Sequence, residues 1–326
     1  MQIQPIQNIY AYKRFWEKSS EYTKAIKTQN VILNNFSVSY YPITFGSKLN
    51  DNYDEWFKAY LKCTNEKESI ATEINKILTD SEYAKTLQNK KEIKILDIGC
   101  GNGLLTEKVL CNVIKLFPKQ KLIVDALDVN EKLLDEYNVR CDKFQNKICL
   151  KSHKKDFFTS DLINNQYDLI IASHVLYYSD NLDKAIKKIY ENLSPNGKAI
   201  IVHHSGEYCV LSELRAKYNP TSSANLEQTK EDITKIDIIK NSLEKQDIPH
   251  EILKQYFKLT IFQNNNKDFR NLISFIIDKP YNTLLKENKV VDLFKDIKDL
   301  TNEKYEINLF NKIYVITKGN KHDADF

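Results

Sequence analysis

The sequence predicts an α/β fold: a Rossmann-like sheet with helices on both faces, an N-terminal helical cap and a helical insertion before the last strand. Three observations carry this reading. Short apolar runs alternate with helical patterns between residues 93 and 203, the signature of a parallel sheet. Three of the seven glycines, Gly99, Gly101 and Gly103, fall within five positions at the first strand-to-helix junction. After His204 the alternation stops, and a final apolar run follows at 309–317 (LFNKIYVIT).

The elements follow in order. Residues 1–35 carry Tyr10, Phe15, Tyr22 and Ile26 at roughly helical spacing. Residues 36–52 are irregular, and 54–88 are helical with charged faces. The run 93–98 (IKILDI) is the first strand, and 104–117 is a helix ended by Pro118. The run 122–128 (LIVDALD) is the second strand, 131–144 the second helix and 148–151 a weak third strand. The continuously apolar run 167–173 (YDLIIAS) reads as a fourth strand buried on both faces. Residues 182–193 form a helix stopped by Ser194-Pro195-Asn196-Gly197, and 198–203 (KAIIVH) is the fifth strand. Beyond it, 207–218 and 229–245 read as helices, 250–262 as one strand or two pieces, and 267–300 as mixed helical. The expected organisation is one compact unit. A cap spans 1–90, and the core spans 91–319 with insertions at about 207–245 and 264–303.

Composition narrows the class. Apolar residues are 42% and charged residues 28% of 326, ordinary values for a globular chain. No run approaches the roughly 18 apolar residues of a membrane span. Net charge is +4, and the lysines are mostly interleaved with acids. The one basic run, 151–155, is followed by Asp156, so a nucleic-acid face is not expected. None of the six cysteines has CxxC spacing and no His cluster stands near them, so no metal motif is legible. The segment MQIQPIQNIYAYKRF lacks the apolar stretch of a secretory signal. Reduced thiols and a cytoplasmic setting are expected.

The junction reads Asp97-Ile98-Gly99-Cys100-Gly101-Asn102-Gly103. Leu104 stands where a GxGxxG dinucleotide fingerprint needs its third glycine, and no GK[ST] follows. An acid followed by GxGxG is instead similar to the S-adenosyl-L-methionine (SAM) loop of class I methyltransferases. SAM has no phosphate, so such a loop has only to let the amino-acid part and ribose lie against its backbone. Asp97 would face the ligand's ammonium. Asp128, ending the second strand, would accept the ribose hydroxyls. Asp125 lies inside that strand, short of the ligand. Asp156 is placed for the adenine amino group and Phe157 for its face, or the two are a loop acid and a core ring. Ser173-His174-Val175-Leu176-Tyr177-Tyr178 follows the fourth strand, at the active-site edge of such folds. The tyrosines would wall the sulfonium and acceptor, and aromatic faces stabilise cations by roughly 0.5–2 kcal/mol. His174 reads equally as a ligand contact or a structural histidine. The expected cofactor set is Asp97, Gly99, Cys100, Gly101, Gly103, Asp128, Val129, Asp156, Phe157 and Ser173.

Beyond these motifs the chain resembles the histamine N-methyltransferase family. The resemblance rests on Val175-Leu176-Tyr177-Tyr178, on Arg14-Phe15-Trp16-Glu17-Lys18-Ser19-Ser20-Glu21, and on Leu309-Phe310-Asn311. It implies SAM-dependent N-methylation of a small amine or imidazole. It also implies that Glu21 and Asn311 bind substrate with Tyr177, while Tyr177, Tyr178 and His174 stand at the catalytic centre. On helical spacing alone Glu21 is a solvated surface acid. Residues 207–215 lack the family's tryptophans, which leaves the acceptor open. A protein methyltransferase and a non-catalytic SAM-binding module are the alternatives.

Overall fold

The computed structural model describes residues 52–160, 166–204, 210–220, 237–261 and 266–319. The chain divides into units at 1–40 and 41–326, and all described residues belong to the second. Three helices come first: α1 (Tyr53–Cys63), α2 (Glu66–Leu78) and α3 (Ser81–Gln88). Then β1 (Glu92–Ile98), α4 (Leu104–Leu116), β2 (Lys121–Asp128), α5 (Glu131–Cys141), β3 (Ile148–Lys154) and β4 (Tyr167–Ser173) follow. A short 3₁₀ turn, Leu176–Tyr178, leads to α6 (Leu182–Glu191) and β5 (Leu193–His204). The remainder is α7 (Val210–Tyr218), α8 (Ile238–Lys245), β6 (His250–Thr260), α9 (Lys267–Ile277), α10 (Tyr281–Lys286), α11 (Val290–Leu300) and β7 (Glu306–Thr317).

The sheet order is β3-β2-β1-β4-β5-β7-β6, parallel except for β7, which runs antiparallel to both β5 and β6. This is the Rossmann-like sheet of class I methyltransferases, as the alternation predicts. The apolar runs build it because each strand has two buried faces. Ile93, Ile95, Val124, Ile171, Val202 and Ile313 pack under α2 to α5 on one side. Leu96, Ile98, Leu127, Ile170, Ile201 and Tyr314 pack under α6 and α8 on the other. A third core joins α1, α9, α10 and α11 to the outer parts of β6 and β7. Within the run 250–262, His250–Thr260 is one continuous strand rather than two pieces.

Two details differ from the sequence reading for local reasons. Residues 194–197 do not precede the fifth strand but lie inside it. Asn196 takes φ 61°, and the register against β4 shifts there, so the turn residues form a bulge. Several helix starts lack Gly or Pro signals because Asx side chains cap them. Asp80, Asn130, Asn181, Asp237 and Asn266 each accept a backbone N–H of the first turn.

Buried polar ties fix the layers. Asp168 on β4 accepts from Ser194 Oγ at 2.7 Å and from the Lys94 N–H at 2.9 Å, and pairs with Lys90 at 2.6 Å. Asp125 accepts the Tyr167 hydroxyl at 3.0 Å and pairs with His153 at 3.0 Å. Its carboxylate is therefore committed within the sheet, as its mid-strand position suggests.

Candidate active site

The sheet reverses strand order between β1 and β4, and the residues singled out at 97–103, 128 and 173–178 all gather at the carboxyl ends of these strands. A ligand crevice belongs there in an open α/β sheet. Gly99, Gly101 and Gly103 all have φ between 53° and 76°. Their surroundings differ. A Cβ on Gly99 would meet Val175 Cγ2 at 2.4 Å, whereas one on Gly101 would meet nothing within 4 Å among the described residues. Gly99 therefore holds the loop against the turn after β4, and Gly101 is the point a ligand can approach.

Asp128 completes the loop. Its Oδ2 accepts the Gly101 N–H at 2.8 Å and its Oδ1 accepts the Asn130 N–H at 2.9 Å. Each oxygen keeps lone-pair capacity for a hydroxyl. The Cys100 N–H is bonded to the Leu127 carbonyl at 3.0 Å, so Cys100 serves the loop through its backbone, and burial pushes its thiol well up. Val129, beside Asp128, is 65% exposed. Asp97 is buried and accepts the Thr106 hydroxyl. Burial lifts its carboxyl to about 7, with the charge of Asp128 adding to the effect.

Asp156 accepts the Phe158 N–H at 2.8 Å and the Thr159 hydroxyl at 3.2 Å, an Asx turn. Phe157 is 4% exposed, meets Phe158 edge-on and has the Lys188 ammonium 4.7 Å from its ring centre. Asp156 thus closes a turn, and Phe157 is a buried ring. Ser173 closes β4, and its buried Oγ has no hydrogen-bond partner among the described residues.

Beyond Ser173, His174 takes φ 56°, an unfavourable region for a residue other than glycine. Its Nδ1 lies 3.4 Å from the Tyr177 hydroxyl and its Nε2 lies 3.1 Å from Glu66 Oε1. The Tyr177 hydroxyl accepts the His204 N–H at 2.8 Å. Tyr177 is thus buried and locked, whereas Tyr178 is 52% exposed and close enough to Asp128 for that charge to help burial raise its hydroxyl.

Asn311 is fully buried in β7, opposite His204 in β5 and Gln255 in β6. Its Nδ2 donates to Glu66 Oε1 at 2.9 Å and to Gln255 Oε1 at 3.0 Å, and its Oδ1 has no hydrogen-bond partner among the described residues. Glu66, at the start of α2, is the residue the sequence reading missed. Burial alone would raise its carboxyl, but the neighbouring His174, with Lys67 and His204, holds it far below the usual carboxylate range. Burial pushes His203 down to about 4 and His204 down to about 3, so both rings are neutral near pH 7. Glu21 lies outside the described residues. The structure thus joins His174, Tyr177 and Asn311 in one polar cluster, with Glu66 and His204 added. Through Val175, the turn carrying His174 abuts the glycine loop.

A signal for Glu66 existed. It stands four, eight and twelve residues before Ile70, Ile74 and Leu78, all buried on the same stripe of α2. An acid on an apolar stripe needs buried partners.

Part of the chain is similar to known methyltransferases. Residues 96–199 match the methyltransferase domain family, whose cofactor is S-adenosyl-L-methionine. The chain is 32% identical over 110 residues to a malonyl-acyl-carrier-protein O-methyltransferase of Priestia megaterium, covering 34% of this chain and 36% of that protein. It is 26% identical over 166 residues to histamine N-methyltransferase of Cavia porcellus, covering 48% and 56%. Among solved structures, the plantazolicin methyltransferase BpumL in complex with SAH aligns over 83% of this chain and 89% of its own at 16% identity, with a TM-score of 0.41. The chain spans from about a third to somewhat over half of the two curated relatives. Likeness to histamine N-methyltransferase is therefore one of several methyltransferase matches, and the O-methyltransferase has the higher identity. Among the described residues no helix is long and apolar enough to cross a membrane.

The residues fit the cofactor. Open space stands before Gly101, the Asp128 carboxylate lies beside it, and Ser173 Oγ at the end of β4 lacks a partner.

Proposed function

We propose that this protein methylates a small molecule from SAM, most naturally at an imidazole or amine nitrogen, with the acceptor seated against the Glu66–His174–His204–Asn311 cluster. One observation carries the reading: the turn bearing His174 packs through Val175 against the loop whose Gly101 faces open space. Cofactor and acceptor sides are then adjacent. The cluster is rich in acceptor atoms, with a carboxylate, an amide oxygen and ring nitrogens. Such a lining suits an acceptor that presents an N–H group.

When bound, SAM supplies an electrophilic methyl on a sulfonium. The chain supplies placement. Asp128 and the loop hold the ribose, and Asp97 neutralises the ammonium. Tyr178 walls the sulfonium, where an aromatic face favours positive charge. Tyr177, fixed by the His204 N–H, shapes the acceptor seat, and fixed orientation supplies several kcal/mol of barrier reduction. Phe157 and Asp156 bound the adenine side, with Val129 at its exposed edge. Cys100 and Gly103 contribute backbone shape.

Oxygen methylation is the second reading, favoured by the match to the malonyl-acyl-carrier-protein O-methyltransferase. Methyl-labelled SAM incubated with the full chain decides among the readings, using imidazoles, amines, hydroxyl and carboxyl compounds, and separately a protein extract. Label on a nitrogen compound supports the proposal, and label on oxygen selects the second reading. Label only on protein, or tight SAM binding without transfer, refutes both in favour of a protein methyltransferase or a SAM-binding module.

A further inference from the structure

We propose that Glu66, His174 and His204 form a binding site for a divalent cation of the zinc class, placed where the methyl acceptor docks. The placement rests on reading the cluster as the acceptor side; the cation site itself rests on geometry. One carboxylate oxygen and two imidazole nitrogens lie within 4.8 Å of one another. Two His and one Glu, with a further position open, are a donor set that zinc takes at reactive centres.

The spacing accommodates an ion. His174 Nε2 faces Glu66 Oε1 at 3.1 Å, a separation that an ion pair and two ligands of one metal share. Donor atoms bound at about 2.0–2.2 Å to one ion stand roughly 3.0–3.5 Å apart. The His174–Glu66 edge already has that separation, and no edge exceeds 4.8 Å.

The surroundings support the same conclusion. Metal ligands are oriented by outer hydrogen bonds, and here Asn311 Nδ2 donates to Glu66 Oε1 at 2.9 Å while Tyr60 donates to Oε2 at 3.4 Å. Tyr177 lies 3.4 Å from the far nitrogen of His174. His174 is held at φ 56°, a strained backbone of the kind that persists where a side chain must be aimed. Asn311 Oδ1, fully buried without a hydrogen-bond partner on the residue opposite His204, is a further oxygen donor at this corner. The three ligands come from α2, the end of β4 and the end of β5, so no sequence spacing reveals them. With the ion bound, the acceptor meets it through a lone pair instead of giving an N–H to these atoms. An imidazole nitrogen or a hydroxyl oxygen qualifies, and an ammonium does not.

The test uses the full chain, stripped with a chelator and titrated with Co²⁺ by visible absorption and with Zn²⁺ by calorimetry. One ion per chain is expected, with nitrogen and oxygen ligand bands. His174→Gln and His204→Gln should each weaken binding by more than about tenfold, while His153→Gln leaves it unchanged. SAM binding in each variant reports that the fold is intact. Absence of saturable binding, thiolate charge-transfer bands, or binding unaffected in both variants would overturn the site. The two readings fail separately. Methyl transfer that persists in chelator without ion binding removes the cation and keeps the methyltransferase. Ion binding without transfer to any acceptor keeps the site and removes the acceptor reading.

Discussion

Replacing Asp97 by Asn separates the needs of the fold from those of the cofactor. Burial lifts this carboxyl from 3.8 to about 7. A folded value above the unfolded one means that folding takes up a proton between those two pH values. The stabilisation is complete below pH ~4 and lost as pH rises through ~7. At 1.36 kcal/mol per unit, the loss is about 4 kcal/mol. Asn keeps an oxygen for the Thr106 hydroxyl and has no charge to bury. Asp97→Asn should therefore flatten stability between pH 4 and 7 and make the variant the more stable protein at pH 8. Cofactor binding should move the other way. If the carboxylate neutralises the SAM ammonium, wild-type affinity falls about tenfold for each pH unit below 7, and the variant binds weakly at every pH. Urea unfolding from pH 4 to 8, with calorimetry of SAM binding over the same range, measures both. Equal pH slopes in the two proteins, or full affinity in the variant, would refute the reasoning.

Further outcomes follow from the same geometry. Gly99→Ala places Cβ 2.4 Å from Val175 and should cost about 2 kcal/mol or more in urea unfolding. Gly101→Ala meets open space and should cost only about 1–2 kcal/mol, from its positive φ, while abolishing SAM binding in calorimetry. Asp168→Ala leaves the Lys94 N–H and Ser194 hydroxyl without their carboxylate and should lower stability by about 2–4 kcal/mol. Tyr177→Phe removes the acceptor of the His204 N–H, at about 1–2 kcal/mol. It should impair methyl transfer more than SAM binding.

The sheet was legible because its signal is local. Apolar runs such as 167–173, buried on both faces, leave few other ways to hide them, and the glycine cluster marks the turn where a backbone must stay bare. The proposed cofactor side is local as well, since Asp97, the loop and Asp128 lie within about thirty residues of one another. The proposed acceptor side is not, because its members are remote in the chain. Glu66 and Asn311 are 245 positions apart yet share a hydrogen bond, and the charge of α2 concealed one acid on its apolar stripe. Asn311 was found only through a family resemblance. The bulge at 194–197 was misread as a break because Pro-Asn-Gly serves a turn and a kinked strand equally.

The antiparallel β7 lies between β5 and β6, which has a consequence for synthesis. About a hundred residues separate the end of β5 from the start of β7, roughly 5–20 s of translation. During that interval β1 to β5 can assemble with the cofactor loop, while the outer margin of β5 remains an unsealed template for foreign strands. Asn311, which steadies Glu66, is made after that interval. A nascent chain released early would have the glycine loop without Asn311, and its open margin would favour capture by chaperones or aggregation.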